Sequence, residues 1–268
     1  MDHNPQESQM SDESMVRTLD AQARCIWPQE AALFDRYGVP SHVLDVGCGT
    51  GEITWRLAER YGDAHLLGVD LIEAHLVTAR QRTAAHGSRV QFEARDAFDL
   101  GLPEATYDLV VNRHLLQAVP EPARVVQECL RVLKPGGWIH LLLEDYTMIQ
   151  FEGASDALDR FWLNGPVMFG RSLGCDMRVG RRGPSLLAGC EDVRVDYVVV
   201  DTVRCDPRDV ADIWRAWRDG YVEALSEVTG RDPASVTADW DEMIRLILDG
   251  YMVWQVPVVS GRKPKNPR

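Results

Sequence analysis

The stretch DVGCGTG at residues 45–51 constrains the fold of this chain more than any other segment. It follows a short apolar run, HVLDV, and precedes a segment with helical spacing. Glycine has no Cβ and accepts positive φ, so a strand can turn sharply here and enter a helix whose first N–H groups stay open to a ligand. The spacing is Gly47-x-Gly49-x-Gly51, with Asp45 two residues before the first glycine. It departs from the G-x-G-x-x-G of dinucleotide sites, in which a pyrophosphate rests on the helix N-terminus. A strand–turn–helix unit of this kind calls for a sheet with helical crossovers.

The rest of the first half repeats that rhythm. Helical spacing over 52–61 (Ile53, Leu57, Tyr61) is followed by a strand at 65–70, a helix at 73–85 and a strand at 90–93. A fourth strand lies at 107–111, a helix at 122–133 and a fifth strand at 138–143. Short apolar strands alternating with helices predict a mostly parallel, doubly wound α/β sheet of the Rossmann-like kind.

Either side of this core the pattern is helical. Residues 1–12 read as a disordered tail and 13–40 as an N-terminal helical cap, broken and restarted at Pro28. The core runs from 41 to 145, and 146–268 holds the rest of the sheet plus helical lid insertions at about 146–190 and 206–250. Strands are expected at 193–201 and 251–256. Between them, Asp206-Pro207 and Asp232-Pro233 each supply an N-cap followed by proline at the first helical position. The stripe Val210, Ile213, Trp214, Trp217, Tyr221, Leu225 has the spacing of a packed helix face.

Charge narrows the function. Twenty-nine Lys and Arg stand against 41 Asp and Glu, a net charge of -12, which opposes nucleic-acid binding and attraction to anionic lipid. No apolar run approaches the roughly 20 residues of a membrane span, and residues 1–14 lack the features of a signal peptide. The six cysteines show no metal-ligand spacing and read as free thiols, so a cytoplasmic location is expected and no metal site is evident. A small-molecule partner is expected, and a homo-oligomer is compatible with the composition.

Candidate ligand residues cluster at strand ends. Asp45 closes the first strand, Asp70 the second, and Arg95-Asp96-Ala97-Phe98 follows the third. A carboxylate in the place of Asp70 can accept from two ribose hydroxyls, and one in the place of Asp96 from an adenine amino group. VLDVGCGTG, LLGVD, ARDAFDLGLPEATYDLVVNRHLL and LRVLKPGGWI, in that order over about residues 41–145, resemble the successive motifs of class I S-adenosylmethionine (SAM)-dependent methyltransferases. More narrowly they are similar to the small-molecule branch that includes ubiquinone and menaquinone biosynthesis methyltransferases. The resemblance implies a seven-stranded sheet with its last strand antiparallel, and SAM across the strand ends. It assigns Gly47, Cys48, Gly49 and Gly51 with Asp45 to the methionine part, Asp70 and Leu71 to the ribose, Asp96, Ala97 and Phe98 to the adenine, and Asn112 to the turn near the sulfonium. Pro257 interrupts the last strand, which is therefore expected to end or bulge at Val256.

The acceptor side is less legible. His114 lies just past the fourth strand, where a neutral imidazole can serve as general base, or simply pack beneath the cofactor. Glu144, Asp145 and Tyr146 follow the fifth strand at the same edge, as candidates for orienting an acceptor. Phe161, Trp162, Met168, Phe169, Trp217 and Tyr221 fit an apolar lid over the crevice, and Arg178–Arg182 fits either an anion clamp or a solvated loop. The reading is methyl transfer to oxygen, nitrogen or carbon of a small, partly apolar metabolite. A SAM-binding protein without transfer activity, a peptide methyltransferase and, more distantly, a nicotinamide-dependent oxidoreductase remain alternatives.

Overall fold

The computed structural model describes residues 4–265. Eight strands form one sheet: β1 (His42–Val46), β2 (His65–Asp70), β3 (Val90–Ala94), β4 (Tyr107–Arg113), β5 (Leu133–Leu142), β6 (Ile149–Phe151), β7 (Glu191–Asp201) and β8 (Met252–Arg262). The helices are α1 (Glu7–Met10), α2 (Glu13–Glu30), α3 (Glu52–Arg60), α4 (Glu73–Arg82), α5 (Pro122–Val132), α6 (Asp156–Asp159), α7 (Phe161–Asn164), α8 (Pro166–Ser172), α9 (Gly183–Leu186), α10 (Pro207–Thr229) and α11 (Pro233–Asp249).

β3, β2, β1, β4 and β5 lie side by side and parallel. β8 runs antiparallel between β5 and β7, as expected for the last strand. The short β6 was not foreseen; it pairs with Met252–Trp254 of β8, beyond the point where β5 leaves that edge. Strand order reverses between β1 and β4, and ligands of open α/β sheets bind outside the carboxyl ends at such a switch point. Register decides what meets there. Val46 pairs with both Val69 and Asn112, and Arg113 with Leu142, so the glycine turn, Asp70, Arg113, His114 and Glu144 emerge side by side.

Three expectations need correction. β8 does not end at Val256 but continues through Pro257 to Arg262. The Pro257 carbonyl accepts from Leu143, just where β5 gives out, so the missing N–H points to an edge with no ladder left to join. Pro28 does not break the cap helix; it sits in the last turn of α2, which passes into a 3₁₀ segment at Ala31–Tyr37. Residues 1–3 lie outside the described part, but the remainder of the expected tail is structured: α1 forms a turn, Gln6 is buried and Asp12 caps α2 through Ser14.

The Asp–Pro signals act as read. Asp206 accepts from the Arg208 N–H and Asp232 from the Ser235 N–H. α10 packs along α2 and α11, and its stripe buries Val210, Ile213, Trp214, Trp217 and Leu225 in the core beneath the lid. Removing this much apolar surface from water, at roughly 25 cal/mol per Å², holds the insertion on the sheet.

Candidate active site

A cleft opens over the carboxyl ends of β1 to β5. Gly47, Gly49, Asp70, Leu71, Asp96, Ala97, Phe98, His114, Glu144, Tyr146, Trp217 and Tyr221 all border it. Twelve residues singled out from sequence thus converge on one space, although they span five strand ends and a helix.

The cofactor side is held by backbone. Gly47 and Cys48 donate to the Val69 carbonyl, which ties the turn to β2. Asp70 accepts from the Gly49 N–H at 2.8 Å and the Ile72 N–H at 2.9 Å, one on each carboxylate oxygen. A carboxylate has about four acceptor sites, so two stay open toward a diol. Asn112 donates to the Val46 carbonyl at 2.8 Å, while its buried Oδ1 has no partner among the described residues. Asp96 accepts from the Phe98 N–H, and Arg124 lies over the Phe98 ring at 5.2 Å.

Some assigned residues act from beneath. Gly51 does not border the cleft; it starts α3 at φ 74°, where a Cβ would stand 2.8 Å from Ala79 Cβ. Its role is close helix packing. Gly49, at φ 52°, is bordered instead by the cap, since a Cβ there would lie 2.8 Å from Leu19 Cδ1. Cys48 turns its buried thiol toward β2, and with Asp45 it borders a side recess of the cleft. Asp45 accepts from Thr54 Oγ1 at 2.6 Å, and burial pushes its carboxyl up to about 6 despite that bond.

Past β4 and β5, His114 Nδ1 lies 2.5 Å from Glu144 Oε1. Both side chains are almost wholly buried, at 8% and 1% exposure. Burial, with the neighbouring Arg113 charge, pushes the imidazole well below its ordinary range. Burial pushes the Glu144 carboxyl well above its own, against the pull of Arg113. Both shifts favour the uncharged forms of the two groups. Nε2 has no partner among the described residues. His114 also adopts φ 51°, a left-handed conformation that costs a non-glycine residue about 1 kcal/mol or more. Its N–H donates to the Leu142 carbonyl and its carbonyl accepts from Gln117, which hold that conformation in place.

A small aromatic chamber adjoins the cleft. Trp162, Phe169, Trp217 and Tyr221 border it as expected, joined by Tyr146, Met177 and Trp240. Tyr146 stacks on Trp162 at 5.6 Å with an interplanar angle of 5°. Phe161 and Met168 do not border it. Each is next in sequence to a residue that does, so the helical turn carries it to the far side, onto a separate surface groove. Asp145 is not available to an acceptor either, because Arg181 grips both its oxygens at 2.7 and 3.1 Å. That grip also accounts for part of the 178–182 arginine run, while Arg182 pairs with Asp176 at 3.5 Å.

Several wall residues were not anticipated. Met15, Thr18, Leu19 and Gln22 of α2 roof the glycine turn, and their i, i+3, i+4, i+7 spacing was a readable signal. Arg113 was passed over inside the β4 motif. It lies between Glu30 of α2, at 2.9 Å from its Nε, and the His114–Glu144 pair. Glu30 also meets His140 Nε2 at 2.9 Å, and Tyr37 OH meets His140 Nδ1 at 2.8 Å. Burial raises the Glu30 carboxyl, but Arg113 and His140 outweigh it and hold the group below its ordinary range.

Residues 43–137, which carry the glycine turn and the walls on both sides of it, match a family model described as a methyltransferase domain. The match covers about a third of the chain. Over 101 residues the chain is 40% identical to a ubiquinone biosynthesis O-methyltransferase of Leptothrix cholodnii, covering 37% of this chain and 42% of that protein. Over 114 residues it is 34% identical to a demethylmenaquinone methyltransferase of Symbiobacterium thermophilum, covering 41% and 45%. The chain thus aligns with less than half the length of these curated relatives. Among solved structures, the [4+2]-cyclase SpnF superposes with a TM-score of 0.59 at 21% identity, covering 99% of this chain and 98% of that one. At that identity the likeness concerns the fold alone, and it includes the lid as well as the sheet. Among the described residues no helix is long and apolar enough to cross a membrane.

Proposed function

We propose that the chain is a SAM-dependent methyltransferase acting on a small, partly apolar metabolite through a hydroxyl or other proton-bearing nucleophile. The observation that carries this reading is the His114–Glu144 pair, buried at the wall of the cleft that the glycine turn and Asp70 also border. The fit to SAM rests on two features of the cleft: the positive-φ glycine turn, which borders it at Gly47 and Gly49, and unmatched acceptor capacity at Asp70. Gly47 and Gly49 would border the methionine part, Asp70 and Leu71 the ribose, and Asp96, Ala97 and Phe98 the adenine, with Asp45, Cys48 and Asn112 bracing the turn. When bound, SAM supplies an electrophilic methyl group on sulfur.

The chain's own task is to place a nucleophile on the methyl axis and to keep water away. The aromatic chamber supports the acceptor's apolar body, with Trp217 and Tyr221 of α10 closing it from above. His114 Nε2 takes the nucleophile's proton, and Glu144 on Nδ1 stabilises the resulting imidazolium and fixes its orientation. Such a base is needed for a hydroxyl, so an oxygen acceptor is favoured. Incubating the protein with isotopically labelled SAM and a metabolite extract, then finding the mass that gains the labelled methyl, tests the reading. Absence of SAM binding by the folded protein would overturn it. Because the fold also matches a protein described as a [4+2]-cyclase, the same assay should follow metabolites whose retention changes at constant mass.

A further inference from the structure

One cation on the cleft wall is left half used. The Arg113 side chain is 8% exposed, and its Nε is held by Glu30 at 2.9 Å. Its Nη2 is buried and has no partner among the described residues. A buried charged donor left unpaired is costly, because water cannot replace the missing acceptor. The recess around it explains what is missing. Arg113 borders the main cleft and, with His114, the side recess lined by Asp45, Gly47, Cys48 and Thr50, but not the aromatic chamber. Its free nitrogen therefore lies within reach of a group seated at the glycine turn. Arg95, the other arginine on the cleft wall, sits past β3 and is tied to Glu93 and the Leu100 carbonyl.

Charge then selects the ligand group. Asp45, Asp70, Glu30 and Glu144 surround this corner, so a free anion meets mostly carboxylates. A group carrying both signs is accommodated better: its carboxylate on Arg113, its ammonium toward the Asp45 side. An α-amino-acid head has this form. We propose that Arg113 anchors the carboxylate of the cofactor's amino-acid end through Nη2, while Glu30 of the cap helix holds the guanidinium in place from behind. This rests on the SAM reading above and adds a consequence to it. The anchor is assembled only when α2 is docked, so docking of the cap and recognition of the amino-acid head are linked through the Glu30–Arg113 pair.

The test is calorimetric binding of two ligands to the full chain: S-adenosylhomocysteine, and 5′-methylthioadenosine, which keeps the adenine, ribose and sulfur but lacks the amino-acid head. Arg113→Met should weaken S-adenosylhomocysteine about 10- to 100-fold, the range for losing one charged hydrogen bond, and leave methylthioadenosine within about threefold. Retained methylthioadenosine binding also reports that the variant is folded. Arg113→Lys should fall between, and Glu30→Gln should weaken only the homocysteine ligand, by a smaller factor. Equal weakening of both ligands, or no weakening of either, overturns the anchor while leaving the cofactor reading intact. Should Arg113→Met fail to fold, the Lys and Gln variants decide by the same comparison. A wild-type chain that binds neither ligand overturns the SAM reading itself.

Discussion

His114 and Glu144, 30 positions apart, meet at 2.5 Å because β4 and β5 are adjacent parallel strands in register, with Arg113 opposite Leu142. The pair faces a cleft that both the glycine turn and the aromatic chamber adjoin. If it is the proton acceptor, His114→Ala should lower turnover of a captured hydroxyl acceptor by about 10²- to 10⁴-fold and leave S-adenosylhomocysteine affinity nearly unchanged. Since the imidazole titrates below its ordinary value of 6.5, wild-type turnover should hold down to that pH and fall only in more acid solution. Turnover that persists in the alanine variant across this range removes His114 as a base.

Asp45 is 2% exposed and titrates at about 6, above the 3.8 of an unfolded aspartate. A raised folded-state pKa contributes stability that is full below pH 3.8 and lost as pH rises through 6. Asp45→Asn keeps the acceptor for Thr54 and removes the buried charge. At pH 7.5 it should unfold at higher denaturant than wild type, by up to about 3 kcal/mol at 1.36 kcal/mol per pKa unit. The gap should shrink to about half at pH 5 and close only below about pH 3.8. A less stable variant at both pH values contradicts this account.

Gly49 needs both its positive φ and its lack of a side chain. Gly49→Ala should cost about 1–2 kcal/mol from the backbone alone, with a further steric part from Leu19. Adding Leu19→Ala removes the steric part, so urea unfolding of the double variant should show less loss than the sum of the two single ones. Strict additivity would mean that the cap does not press on the turn.

Within the aromatic stripe two tryptophans separate by duty. Trp214 is fully buried and borders neither the cleft nor the chamber, so Trp214→Ala should destabilise by about 3–5 kcal/mol. Trp217 borders both cavities, and Trp217→Phe should raise the acceptor's KM with little change in thermal stability or in S-adenosylhomocysteine binding. Unaltered KM with a large fall in melting temperature would place Trp217 in the core alone.

The core of the fold was legible for a local reason. A βα unit announces itself through periodicity over about ten residues and through turn chemistry, and β1 to β5 with α3 to α5 follow those signals closely. The cofactor wall was legible too, because a parallel sheet brings successive strand ends together: Asp45, Asp70 and Asp96 need no long-range contact to be recognised. Pro28 and Pro257 misled because a proline's effect depends on whether its missing N–H had a partner. That partner is a matter of packing.

What the sequence by itself determined is the doubly wound sheet, the glycine turn and the row of strand-end carboxylates, all set by local spacing and chain order. Tertiary structure alone decided the rest. Register between β4 and β5 joined His114 to Glu144. Docking of α2 brought Leu19 onto Gly49 and Glu30 onto Arg113. Helical phase divided Trp162 and Phe169, which border the chamber, from Phe161 and Met168, which do not. The glycine turn belongs to both accounts: its spacing marks where a ligand can approach, and the cap, cleft and recess around it set which ligand that is.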